Sequence, residues 1–109
     1  MVKSDYYMSG DRQFIKTLRL NILELMTSSK IRKNKKKVSD VDILGQIHII
    51  YTISQRKPTG VEVGEAIIYL LDRRLIEELP LGDVSVYAMT DEGKRVLTGI
   101  YDEDDTAFL

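Results

Sequence analysis

The residues in this chain best able to do chemistry are cations. The segment Lys30-Ile31-Arg32-Lys33-Asn34-Lys35-Lys36-Lys37 places six positive charges in eight residues, while the whole chain carries a net charge of −1. A run like this neutralises a polyanion or stands in water as a solvated loop. A smaller polar group, Gln55, Arg56 and Lys57, leads into Pro58, Thr59 and Gly60. Catalysis has less to draw on. His48 is the only histidine and there is no cysteine. That removes disulfides, thiolate nucleophiles and the usual zinc ligand sets. No phosphate-binding glycine loop, nucleophile motif or carboxylate–histidine metal spacing occurs. The expectation is a chain that is not an enzyme and needs no cofactor or metal.

Charge is divided along the chain. Residues 1–60 hold twelve Lys/Arg against five Asp/Glu, and residues 61–109 hold four against twelve. The split suits a positive face for a polyanion, or contacts between halves or subunits. At 109 residues, 43% hydrophobic and 30% charged, the composition is that of one soluble globular domain. No apolar run follows Met1-Val2-Lys3-Ser4-Asp5, and no stretch approaches the roughly 18 apolar residues of a membrane span. A cytoplasmic location with no membrane partner is therefore expected.

These residues must be positioned by helices. Residues 1–10 read as a flexible N-terminus, with Asp11 as an N-cap. From Gln13 to Ser29, Phe14, Ile15, Leu18, Ile22, Leu25 and Met26 fall at helical intervals, and Leu20 and Leu23 widen the apolar arc. A helix this apolar has either a partner to meet or a central place in the core. On the first alternative, Phe14, Leu18, Leu20 and Leu23 form a dimer interface. The basic run has no apolar period and reads as a loop. Ser39 starts a second helix, with Asp40 and Asp42 in its first turn, where the helix dipole favours acids. Its stripe is Ile43, Leu44, Ile47, Ile50 and Tyr51. Residues 54–58 break it, since Pro58 disfavours helical geometry at Lys57. Thr59-Gly60-Val61-Glu62 is a capping box, so a third helix starts near Gly60 and runs through Val63, Ala66, Ile67, Leu70 and Leu71 to Leu75 or beyond. Helix, short turn, helix is the helix-turn-helix arrangement.

Leu79–Asp83 carries a turn signal, and Val84–Met89 alternates as a strand. Thr90-Asp91-Glu92-Gly93 caps a last helix with Val96, Leu97 and Ile100 inward. Residues 101–109 read as a frayed acidic tail, leaving residues 11–100 as the single domain. The fold class expected is mainly α with a small β-hairpin wing.

Two stretches carry a family resemblance. "AIIYLLDRRLIEELP" is similar to the third helix of a winged helix-turn-helix and its step into the first wing strand. "VYAMTDEGKRVL" is similar to the second wing strand and the Tyr-x-x-Thr-x-x-Gly-x-x-x-Leu element, here Tyr87, Thr90, Gly93 and Leu97. Residues 40–100 thus resemble small regulators of the PadR and MarR type, with an extra N-terminal helix. The resemblance implies a homodimeric, sequence-specific regulator of transcription on double-stranded DNA, its third helix in the major groove. Lys33, Lys35, Lys36, Lys37, Gln55, Arg56, Lys57, Thr59 and Gly60 would then contact DNA. The chain departs from the pattern in its charges. The exposed side of the third helix is expected to carry Glu62, Glu65, Tyr69 and Asp72, and the wing tip, Gly82-Asp83, has no cation. Two other roles remain open: a centromere-binding component of a plasmid partition system, or a winged-helix protein-interaction module that does not bind DNA.

Overall fold

The computed structural model describes residues 2–27, 38–54, 56–81, 84–103 and 109. Their order is α1 (Val2–Leu25), β1 (Val38–Ser39), α2 (Asp40–Ile50), α3 (Gly60–Asp72), β2 (Ile76–Leu81), β3 (Val84–Met89) and α4 (Asp91–Glu103). The sheet is antiparallel with strand order β1-β3-β2. β2 and β3 form the hairpin, in register from Ile76 opposite Met89 to Leu81 opposite Val84. This is a winged helix-turn-helix: mostly helical, with a small hairpin wing, as the sequence led us to expect.

The core is where the helical stripes meet. Leu18, Ile22 and Leu23 of α1, Ile43 and Ile47 of α2, and Leu70 of α3 are 0% exposed. Each such side chain stabilises the fold by roughly 1.5–3 kcal/mol of transfer free energy. Both helices of the helix-turn-helix start with a capping box. Ser39 Oγ accepts from Asp42 N at 3.2 Å, and Thr59 Oγ1 accepts from Glu62 N at 3.1 Å. In return the Glu62 carboxylate accepts from Thr59 N at 2.9 Å. These reciprocal bonds satisfy amides that the helix itself cannot.

Several boundaries differ from expectation. α1 begins at Val2, so Asp11 lies inside the helix and not at its start. Apolar periodicity reports burial, and the first ten residues carry no apolar stripe from which it could be read. β1, two residues long, was not anticipated; so short a strand has no period to detect. α3 ends at Asp72 and does not run to Leu75. Arg74 takes a left-handed backbone, φ 60°. Leu75 N then donates to Leu70 O and Arg74 N to Leu71 O, both at 3.0 Å. This pair of bonds is the Schellman closure of a helix, here built on an arginine and not on a glycine. Leu75 folds back into the core at 1% exposure. α4 continues through Glu103 into what read as tail, and Leu109 is buried.

The Tyr-x-x-Thr-x-x-Gly-x-x-x-Leu element proves to be a joint. Tyr87 and Leu97 are buried. The Thr90 hydroxyl donates to Arg74 O at 2.6 Å and accepts from Gly93 N at 3.0 Å. Thr90 N donates to Leu75 O at 3.0 Å. A Cβ on Gly93 would sit 2.1 Å from Leu75 O, so only glycine lets α4 approach the end of α3 this closely.

Candidate nucleic-acid interface

The turn between α2 and α3 is held from three sides. Tyr51 closes α2, and its hydroxyl accepts from Asn21 Nδ2 of α1 at 2.8 Å. Burial pushes the Tyr51 phenol above its usual pKa, against the opposing effect of that hydrogen bond. Phe14 of α1 meets the Tyr51 ring edge-on, with centroids 5.9 Å apart. The Arg56 guanidinium lies 3.9 Å from the Phe14 centroid and donates to Glu62 Oε2 at 2.8 Å. Glu62 therefore does two jobs: it completes the cap of α3 and it orients Arg56. The Arg56 side chain keeps 46% of its surface exposed. Such a half-exposed pair contributes little stability but fixes a direction.

The anticipated contact residues fall into three groups. Arg56, Lys57, Thr59 and Gly60 come together, all exposed, at the leading end of α3. Lys33, Lys35, Lys36, Lys37 and Gln55 lie outside the described residues. Of the anticipated dimer residues, Phe14 and Leu20 are half-buried, whereas Leu18 and Leu23 are wholly enclosed in the chain's own core. Those last two have no surface left for a second copy, because the chain's other helices pack around α1. His48 is exposed on α2.

Of the four residues expected on the outward side of α3, Glu65 and Asp72 are exposed there and the other two are not. Glu62 is turned into the cap, and Tyr69 is half-buried. The Arg19 guanidinium lies 3.4 Å from the Tyr69 centroid and that of Arg73 lies 4.9 Å from it. Burial lowers the pKa of Arg19; Tyr69 opposes the shift, and the neighbouring Arg73 charge adds a smaller lowering. Arg19 Nη1 also donates to the carbonyl of Leu109. The true outward ridge is Val61, Glu65, Ile68 and Asp72, one position per turn opposite the buried Val63, Ala66, Ile67 and Leu70. Val61 is 71% exposed and Ile68 57%. The ridge is half apolar, not simply acidic. Beside it, between α3 and the wing, runs a groove of about 400 Å³ lined by Gly60, Gly64, Ile68, Leu71, Glu78 and Tyr87 among others. On the wing Glu77 and Glu78 are exposed, and Ser85 Oγ donates to Glu78 Oε2 at 2.5 Å. Three more exposed apolar residues, Ile49, Ile50 and Ile53, lie at the end of α2 and in the turn; Ile50 had been expected in the buried stripe.

The class defined by this architecture is the winged helix-turn-helix. No family model matches the sequence, and no curated protein matches it. Solved structures do. A transcriptional regulator from Clostridium thermocellum, Cth-833, superposes with a TM-score of 0.63 at 18% identity, over 87% of this chain and 84% of that one. ZitR from Lactococcus lactis, as a double variant in its apo form, superposes with a TM-score of 0.58 at 14% identity, over 96% of this chain and 72% of that one. At such identities the likeness is one of fold. No helix among the described residues is long and apolar enough to cross a membrane.

Proposed function

We propose that this protein binds double-stranded DNA as a homodimeric, sequence-specific regulator of transcription in the cytoplasm, and that it is not an enzyme. The observation that carries this reading is the leading end of α3. Arg56 is aimed by Glu62 and Phe14, Lys57 is exposed beside it, and both precede a capped helix of a helix-turn-helix. In winged-helix proteins bound to DNA that end meets the duplex. The two structural neighbours, one described as a transcriptional regulator, support the same reading. Lys33, Lys35, Lys36 and Lys37 lead into α2, the helix that crosses the backbone in such complexes, and would add salt-sensitive affinity.

A dimer seam on α1 would use Phe14, Leu20 and neighbouring surface, with Leu18 and Leu23 supporting it from within. Sedimentation equilibrium tests this; a monomer at micromolar concentration removes the dimer. Binding to mixed-sequence duplexes, followed by fluorescence anisotropy across a salt series, tests the DNA reading. Expected are a steep loss of affinity with salt and a shallower slope when the four lysines and Lys57 become Gln. No binding at low salt overturns it. A single palindromic footprint supports a regulator, and a tandem array supports a partition role. A protein-interaction module is favoured by one observation, the apolar surface of Ile49, Ile53, Val61 and Ile68, and it predicts no duplex binding at all.

A further inference from the structure

The outward ridge of α3 has a composition that phosphate contact does not explain. Val61 and Ile68 are large, apolar and more than half exposed, and Glu65 stands exposed between them. A carboxylate facing phosphates would be repelled. The cations lie instead at the two ends of the helix. Arg56 and Lys57 precede it, and Arg73 and Arg74 follow it, all exposed, and they outnumber the single exposed acid at its end, Asp72. Positive ends with an uncharged or acidic middle match a duplex groove, whose walls are phosphate and whose floor is base edges. The floor of the major groove offers two features this ridge can use: the thymine methyl, which is apolar, and the cytosine amino group, which donates.

We propose that Val61, Glu65 and Ile68 are the specificity-determining residues of this protein. Val61 and Ile68 pack against thymine methyls, and the Glu65 carboxylate accepts a hydrogen bond from a cytosine N4 amino group. The inference rests on the DNA-binding reading above and adds to it which bases are read. Helix geometry sets the spacing. Seven residues at 1.5 Å separate Val61 from Ile68 by roughly 10 Å, about three base-pair steps of 3.4 Å. Each half-site therefore holds two thymines about three base pairs apart, with a cytosine between them.

Selection of bound duplexes from a random pool, using the full chain, tests this directly. The selected site is then remade with uracil for each thymine, which removes only the methyl, and measured by anisotropy. Loss of each methyl contact weakens binding by about fourfold. At the matching position that loss vanishes in Val61→Ala or Ile68→Ala. Glu65→Gln lowers the preference for cytosine by about tenfold. The three side chains are exposed, so thermal melts of the variants stay close to that of the parent. Uracil penalties that persist in the alanine variants, or a selected site lacking the thymines and cytosine, overturn the assignment while leaving DNA binding intact. Failure to bind any duplex at low salt overturns the assignment together with the reading beneath it and leaves the ridge to a protein partner.

Discussion

Two threonines cap helices in this molecule, and their surroundings are opposite. Thr59 accepts from Glu62 N at the head of α3, where Thr59, Gly60 and Val61 are all exposed. Thr90 accepts from Gly93 N at the head of α4, and its hydroxyl also donates to the Arg74 carbonyl. A Cβ on Gly93 would strike Leu75 backbone at 2.1 Å, whereas a Cβ on Gly60 or Gly64 would meet nothing within 4 Å. The same local device, a threonine hydroxyl accepting from the amide three residues on, thus seals a joint in one place and leaves a helix end open in the other. The chain spends its close packing on holding the wing against α3 and leaves the head of α3 bare.

The sharpest way to break that contrast is Gly93→Ala. The new methyl must push α4 off the Leu75 carbonyl, at a cost of about 3 kcal/mol or more. Thermal melting should show a drop of many degrees, or no folded protein at all. A loss below about 1 kcal/mol would mean that the joint gives way easily and is no joint. Thr90→Ala comes next. It removes a cap and also the donor to Arg74 O, so about 2 kcal/mol is expected from denaturant unfolding. Thr59→Ala removes only a cap in an exposed setting, where about 1 kcal/mol is usual. Equal losses at the two threonines would erase the distinction drawn between them.

The sequence made much of this readable, and what it hid follows from physics. Capping boxes are strictly local, so Ser39 and the Thr59–Glu62 pair could be located without tertiary knowledge. Buried stripes were legible on α2 and α3 because the core repeats with the helical period. The Tyr87–Leu97 element was recognised as a pattern, but its cause lies between segments: nothing near Gly93 in sequence announces the Leu75 carbonyl. The end of α3 was missed for a related reason. Leu75 is apolar and continues the stripe, yet it is buried by turning back, with Arg74 in a conformation that arginine seldom adopts. Polarity alone puts Glu62, Glu65, Tyr69 and Asp72 on the outward face of α3. Glu65 and Asp72 do lie there, but Glu62 turns into the cap and Tyr69 is half-buried, and Val61 and Ile68 take the remaining places opposite Val63, Ala66, Ile67 and Leu70. Exposed Ile68 is where composition and geometry part, and such places tend to be functional. Phe14 and Leu20 kept a surface, while Leu18 and Leu23 did not; only packing could separate them.

The smallest expected effect sharpens the comparison most. Gly64 sits inside α3 with open space where its Cβ would be, so the fold gains nothing sterically from glycine there. Alanine is the better helix former by about 1 kcal/mol, so Gly64→Ala should raise the melting temperature by a few degrees. Gly93→Ala should do the reverse, although both substitutions add the same methyl to a helix. If α3 enters the major groove, the methyl at position 64 stands beside the Val61–Ile68 ridge and weakens binding to the selected site even as it strengthens the fold. Gain of stability with loss of affinity would show that the bare strip is kept for what approaches from outside. Gain of stability with unchanged affinity would place the duplex elsewhere on the surface and leave the glycine with no role that packing or binding explains.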